Sequence, residues 1–301
     1  MKFLITGATG LIGQQLCQSL RADGHSINVL SRSARQDRAP FADQVFAWAP
    51  ETETPPAAAF DQVDTVIHLA GETVAALRWN DEKKRRIRDS RVLGTRNLVA
   101  AMRALPRKPA TLIVASAVGY YGTRGDELLT EQAAPGKGFL ADVCVEWERE
   151  SLAAAQSGMR VALLRIGVVL SPAGGALAQM LPPFRMGVAG KLGSGAQWFP
   201  WIHVDDVIGL FRHVIDHGQI SGPVNIVAPG AITNAGFTRT LAQALHRPAF
   251  LAAPEFVLRA LLGEVSDILL ISHRVVPQVA LDTGYKFRYS ELPKALASLL
   301  K

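Results

Sequence analysis

The chain has 301 residues, of which 49% are hydrophobic and 19% charged, with a formal net charge of +6. This composition excludes a disordered chain, and the length exceeds what one hydrophobic core usually fills, so one large and one smaller domain are expected. The positive balance does not imply nucleic acid: the densest basic run, residues 83–88, lies in a helical pattern interleaved with Asp81, Glu82 and Asp89, and no aromatic residues alternate with it.

In chain order, apolar runs at 3–5, 27–30, 44–47, 63–69, 110–115 and 161–170 alternate with helical patterns at 11–22, 80–104 and 139–157. The strands read as continuous apolar stretches, as buried parallel strands do. A helix at 205–217 and a strand at 224–227 follow, and helical patterns dominate afterwards at 234–245, 255–262 and 290–300. The fold expected is α/β, a Rossmann-type doubly wound parallel sheet with a smaller, mainly helical substrate domain at the C-terminal end. Residues 1–170 plus 204–230 are assigned to the nucleotide domain, and 171–203 plus 231–301 to the smaller one.

The first strand pattern ends in Thr6-Gly7-Ala8-Thr9-Gly10-Leu11-Ile12-Gly13. Glycines at this spacing between a strand and a helix allow a tight turn and let backbone approach a pyrophosphate over the helix N-terminus. The second strand ends in Ser31-Arg32-Ser33-Ala34-Arg35, where an acidic residue would hold the ribose hydroxyls of NAD. No acid precedes Asp37. Ser31, Arg32 and Arg35 are therefore read as ligands of a 2′-phosphate and the cofactor as NADP(H), with solvated loop arginines as the plainer alternative.

Ligands in such sheets sit beyond the carboxyl ends of the strands. Three turns occupy that edge: His68-Leu69-Ala70-Gly71-Glu72, Ser116 through Gly122, and the stretch containing Gly167 and Val168. His68, Leu69, Ala70, Gly71, Ser116, Gly167 and Val168 join Gly7, Thr9, Gly10, Leu11, Ile12 and Gly13 as expected cofactor contacts. Cys17 and Cys144 sit in helical patterns and read as buried free thiols; no CxxC or His pair suggests a metal. A strand starting at residue 2 leaves no room for a leader, and the apolar region 250–271 is broken by charges and proline. A cytoplasmic protein is expected, without nucleic-acid or membrane partners, binding a small-molecule substrate; a homodimer is admitted.

With these motifs in hand, the chain resembles the extended short-chain dehydrogenase/reductases, the superfamily of nucleotide-sugar epimerases and dehydratases. TGATGLIG, HLAG, the serine loop ending in Tyr121-Gly122 and WIHVDD occur in that superfamily's order. SAVGYYG, LRIGVVLSPAGGALAQMLPPF, GSGAQWFPWIHVDD and VPQVALDTGYKFRY are similar to its "epimerase family" branch, which carries its own C-terminal domain and is sometimes labelled a cell-division inhibitor. The resemblance implies a Tyr-x-x-x-Lys pair on the helix after the serine loop. Here Leu140 and Cys144 stand at those positions, or Phe139 and Val143 one residue earlier, so that tyrosine mechanism cannot be carried over.

The remaining candidates for chemistry are Ser116, which would orient a substrate oxygen, and Tyr120 or Tyr121, either of which would serve as replacement acid if Lys137 lowered its pKa. Ligand contact or packing is the plainer role for both phenols. Glu72, Arg78, Trp79, Arg185, Gln197, Trp201 and His203 are expected on the substrate side, with Asp205 and Asp206 read as helix caps. Two functions follow as expectations: an NADP-dependent oxidoreductase or epimerase-like enzyme, or a regulatory protein that holds NADPH without turnover.

Overall fold

The structure is a computed structural model that describes residues 1–74 and 78–300, without the side chain of Arg38. The elements run β1 (Lys2–Thr6), α1 (Leu11–Ala22), β2 (Ser26–Ser31), β3 (Gln44–Ala47), β4 (Thr65–His68), α2 (Asp81–Ala104), β5 (Thr111–Ala117), β6 (Leu128–Leu129), α3 (Phe139–Leu152) and β7 (Arg160–Ile166). They continue β8 (Val168–Leu170), α4 (Gly175–Arg185), β9 (Trp198–Phe199), β10 (Trp201–His203), α5 (Val204–Asp216), β11 (Gly222–Ile226), β12 (Ile232–Thr233), α6 (Asn234–Ala244), α7 (Glu255–Leu262), α8 (Ser266–Leu270), β13 (Arg274–Val275), α9 (Gln278–Asp282) and α10 (Leu292–Leu299).

The main sheet has seven strands in the order β11-β7-β5-β4-β1-β2-β3, paired in parallel throughout. The order reverses between β1 and β4, which opens a crevice at their carboxyl ends. Both faces are buried. One core joins Phe3 and Ile5 to Leu16 of α1 and Phe211 of α5; the other joins Leu4 and Val66 to Leu98 and Met102 of α2 and Trp147 of α3. Such two-sided burial explains why the strands lack alternation.

A third core, built from Leu177, Phe184, Trp201, Phe237, Leu241 and Leu296, lies in the C-terminal half. The expected division is crossed at several points: Ile202 joins the main-sheet core, Leu170 and Ala228 join the third core, and Arg274 pairs with Leu128. Residues 278–289, assigned from sequence to the smaller domain, return to the main sheet: Ala280 is in its core, with Tyr285 and Phe287 packed against it. The buried carboxylate of Asp206 holds this return by accepting from the backbone N–H of Arg288 (2.8 Å) and Tyr289 (2.9 Å) and from the Tyr285 hydroxyl (3.1 Å). Asp206 is therefore a clamp rather than a helix cap.

The apolar run 161–170 is also two strands. Gly167 breaks it, because a Cβ there would stand 2.3 Å from the Pro200 carbonyl oxygen. The chain then leaves the main sheet and pairs β8 with β10, Val168 opposite Trp201. Gly167 and Val168 thus serve a strand exchange.

The crossing of α1 over the first turn is equally tight. A Cβ on Gly13 would lie 2.3 Å from the carbonyl oxygen of Gly7 and 2.8 Å from Cα of Ala8, both backbone atoms. Gly13→Ala is expected to destabilise the fold by about 1–3 kcal/mol through overpacking, measured as a lower urea midpoint at unchanged m-value.

Candidate functional site

The glycine turn has a defined division of labour. Gly7 adopts φ +68°, and a Cβ on it would stand 2.7 Å from the carbonyl carbon of Leu69, so the first turn presses on the turn after β4. Gly10 is different. It is exposed and precedes α1 as its N-cap without any side-chain cap, and a Cβ on it would meet only the Gly7 oxygen at 3.3 Å. Leu11 and Ile12 therefore present N–H groups without a partner among the described residues at the positive end of a 12-residue helix.

His68 holds the neighbouring turn from inside. The Thr6 hydroxyl accepts from the N–H of Leu69 (3.2 Å) and Ala70 (3.1 Å), so its own proton goes to His68 Nδ1 at 2.7 Å. His68 Nε2 then carries the ring hydrogen and donates to Thr95 Oγ1 at 3.0 Å. Burial, helped by the charge of Arg91, lowers the imidazole pKa to about 4. His68 is thus a neutral peg with no surface open to a ligand, which corrects its assignment as a cofactor contact; Leu69, Ala70 and Gly71 remain on the crevice side. At the end of β2, Arg32 is exposed and makes no ion pair among the described residues. Arg35 is engaged by Asp37 at 2.7 and 3.2 Å, so the free guanidinium beside Ser31 is that of Arg32.

The candidate acids lie elsewhere than expected. Ser116 is 4% exposed and donates to Glu148 Oε1 at 2.6 Å. Glu148 is gripped on both oxygens by Arg165, at 2.9 and 2.8 Å, with both side chains almost fully buried. Arg165 also donates to the Tyr121 hydroxyl (3.0 Å) and the Glu131 carbonyl (3.2 Å), and Tyr121 donates to Asn225 Oδ1 at 2.7 Å. Tyr121 is fully buried, and burial raises its phenol to about 12. The Tyr120 ring lies on the Arg165 guanidinium, 3.5 Å from its centroid, and borders a shallow depression with Val145 and Glu148 on the outer side of α3. Ser116, Tyr120 and Tyr121, expected as catalytic groups, therefore belong to one buried ion network and its rim. A strand residue and a tight turn leave each side chain a single direction, which is into the core for Ser116 and Tyr121 and onto the rim for Tyr120.

The cleft itself lies beside Gly119 and Gly122, under α7 and α8, with a volume of about 820 Å³. Leu140 lines it where the superfamily tyrosine is implied. Cys144 is buried behind Gly119, its thiol pushed up to about 12. Trp79 meets Phe139 edge to face at 5.5 Å on one wall, and Gln197 on another is spent on the carbonyls of Leu192 and Leu269. Arg124 pairs with Glu127, and Arg259 with Glu255 and Asp267. Lys137 lines the cleft without an ion pair among the described residues.

Of the other substrate-side candidates, Arg78 donates to the carbonyls of Ala260 and Leu261 and so ties its loop to the end of α7. Glu72 is paired with Lys83 and Arg86, which hold its carboxyl below the usual range. Arg185 ends α4 away from the cleft lining. Trp201 is a core residue bonded to the Gly230 carbonyl, and His203 is a buried cap that accepts the Asp205 N–H and stacks on Tyr289. Sequence reasoning missed Glu148, Arg165 and Asn225. The available signal was a charge inside each apolar pattern, arginine in LLRIGVV and glutamate beside Trp147.

An open α/β sheet with an uncapped glycine turn at its reversal point is the layout in which such sheets place a ligand. Residues 3–227 match the profile of the NAD dependent epimerase/dehydratase family and residues 253–299 a domain of unknown function, DUF1731; the chain belongs to the epimerase family. It is 41% identical to an epimerase family protein of Mycobacterium bovis over 97% of this chain and 95% of the relative. It is 39% identical to the chloroplastic SDR39U1 homologue of Arabidopsis thaliana, over 100% and 87%. The crystal structure of the human epimerase family protein SDR39U1 with NADPH superposes with a TM-score of 0.88 at 34% identity, covering 99% of each chain. No helix among the described residues is long and apolar enough to cross a membrane.

The His68 peg makes stability depend on pH. In the unfolded chain its imidazole takes a proton near the ordinary 6.5, whereas in the native protein it stays neutral down to about 4. The unfolded state therefore binds more protons between these values. Stability is fully present above about pH 6.5 and falls as pH drops toward 4, by on the order of 3 kcal/mol for this group. Urea unfolding across that range should show a shallower pH slope in His68→Gln; an unchanged slope would remove His68 as the source.

Proposed function

We propose that the chain is an NADP(H)-binding oxidoreductase or epimerase-like enzyme whose small polar substrate occupies the cleft beside Gly119. One observation carries the cofactor: the uncapped start of α1 at Gly10 stands beside a strand whose end offers the unpaired guanidinium of Arg32. The first suits a pyrophosphate, the second a 2′-phosphate. NADPH in the human relative's structure supports this choice. When bound, the cofactor supplies or takes up hydride. This chain's residues bind and orient: Leu69 and Ala70 bring backbone to the crevice, and Trp79 with Phe139 walls off the cleft.

The proton is assigned to Lys137. It is the cleft's unpaired cation among the described residues, beside the leucine that replaces the superfamily tyrosine. A second reading, an NADPH-binding regulatory or sensor protein without turnover, is favoured by that same leucine and by the turning of both phenols into the ion network.

Arg32→Ala removes a charge-assisted contact worth about 1.5–3 kcal/mol, so NADPH affinity should fall roughly 10- to 150-fold with NADH nearly unchanged. Calorimetric titration of both cofactors checks this, and equal losses would show that Arg32 does not read the 2′-phosphate. With a panel of carbonyl substrates and NADPH, Lys137→Met should lower kcat by about 10²–10⁴, while Tyr120→Phe leaves it near wild type. Absence of NADPH consumption with every substrate selects the regulatory reading.

A further inference from the structure

A second concave site lies on the far side of the C-terminal half. Lys191, Arg239, His246 and Arg247 surround an open depression of about 590 Å³. Its floor includes Ala235, Ala242 and Thr238. None of the three permanent cations forms an ion pair among the described residues; Arg247 uses only Nε, on the Arg185 carbonyl at 3.1 Å, which leaves its terminal amino groups free. Thr238 is 5% exposed, and its hydroxyl has no hydrogen-bond partner among the described residues. The usual counter-ions are missing from the sequence itself: no Asp or Glu occurs at 151–204 or 217–254, and these stretches supply the whole lining.

Unpaired cations crowded around a small-residue floor raise the local positive potential, and two guanidiniums provide forked donors that match phosphate oxygens. We infer that this depression binds a phosphate group, held by Lys191, Arg239 and Arg247 with the Thr238 hydroxyl beneath. It is separate from the glycine turn and from the cleft. Lys191 lines the depression, whereas Ser194 and Gln197 of the same segment line the cleft. The segment is tied to α6 by the bond from Leu192 N–H to Asn234 Oδ1 (2.9 Å) and that from Ala235 N–H to the Gly195 carbonyl (2.8 Å). A phosphate bound there would rest on the segment that borders the cleft.

Two sources share this chemistry, a soluble phosphate compound and a phospholipid headgroup. The rim admits the second: Met186 and Phe250 are 69% and 74% exposed on adjacent segments. Calorimetric titration with inorganic pyrophosphate, in excess NADPH so that the glycine turn is filled, tests the site. Wild type should take up pyrophosphate, and the double variant Lys191→Gln, Arg239→Gln should bind it at least about tenfold more weakly. Gly10→Val, which puts a branched side chain over the glycine turn, should leave this binding intact, which separates it from the cofactor site even if NADPH does not bind. Both altered side chains are exposed, so unchanged thermal melting is expected and checks folding. Flotation with phosphatidylcholine vesicles containing phosphatidylglycerol then identifies the source. Co-flotation lost in the double variant and in Phe250→Asp assigns a lipid headgroup; pyrophosphate binding without flotation assigns a soluble phosphate. Neither binding nor flotation, or either one unaltered in the double variant, overturns the inference.

Discussion

The buried pair of Arg165 and Glu148 is the constraint around which the region at the end of β5 is arranged. A guanidinium in the interior of a parallel strand and a carboxylate on the covering helix cannot stand alone, since removing one partner of such a pair costs about 3–5 kcal/mol. Their mutual neutralisation fixes what surrounds them. Ser116 must donate to Glu148, and Tyr121 must accept from Arg165 and pass its own proton to Asn225. The Glu131 carboxylate accepts from the N–H groups of Asn225 and Val279, which links the network to the returning C-terminal segment. The hydroxyls of Ser116 and Tyr121 at the end of β5 are thereby committed to structure.

That commitment explains the character of the cleft. Its wall beside Gly119 is leucine and backbone, and its charges are mostly paired, Arg259 with Glu255 and Asp267 on α7 and α8 and Arg124 with Glu127. Arg78 adds a cross-link to the end of α7, and Lys84 of α2 one to the turn between α7 and α8, through Glu264 at 2.7 Å. The C-terminal domain thus closes the cleft by ion pairs and carbonyl contacts at its rim, while its own apolar core around Phe237 and Leu296 lies away from it. A rim of exposed ion pairs contributes little stability.

Much of this was legible in the sequence, because local rules carry it. The strand-glycine-helix start, the parallel alternation and Arg32 at the end of β2 depend on neighbours within a few residues. Gly7 and Gly13 were legible as glycines, yet the role of Gly7, close contact with Leu69, involves atoms remote in the chain. His68 looked like a ligand because it ends a strand; Thr6 and Thr95, drawn from different elements, make it a buried peg.

By itself, then, the sequence determined the fold class and the glycine turn, each from periodicity or from which residue type occupies a named position, while the loss of the tyrosine and lysine from α3 is what the resemblance implies. Only the tertiary structure decided which way Ser116, Tyr120, Tyr121, Trp201 and His203 point, and that Asp206 clamps residues 285–289. The direction of a side chain on a strand or tight turn is set by the partners that burial brings to it, and for Ser116 and Tyr121 those partners, Glu148, Arg165 and Asn225, come from three separate elements of the chain.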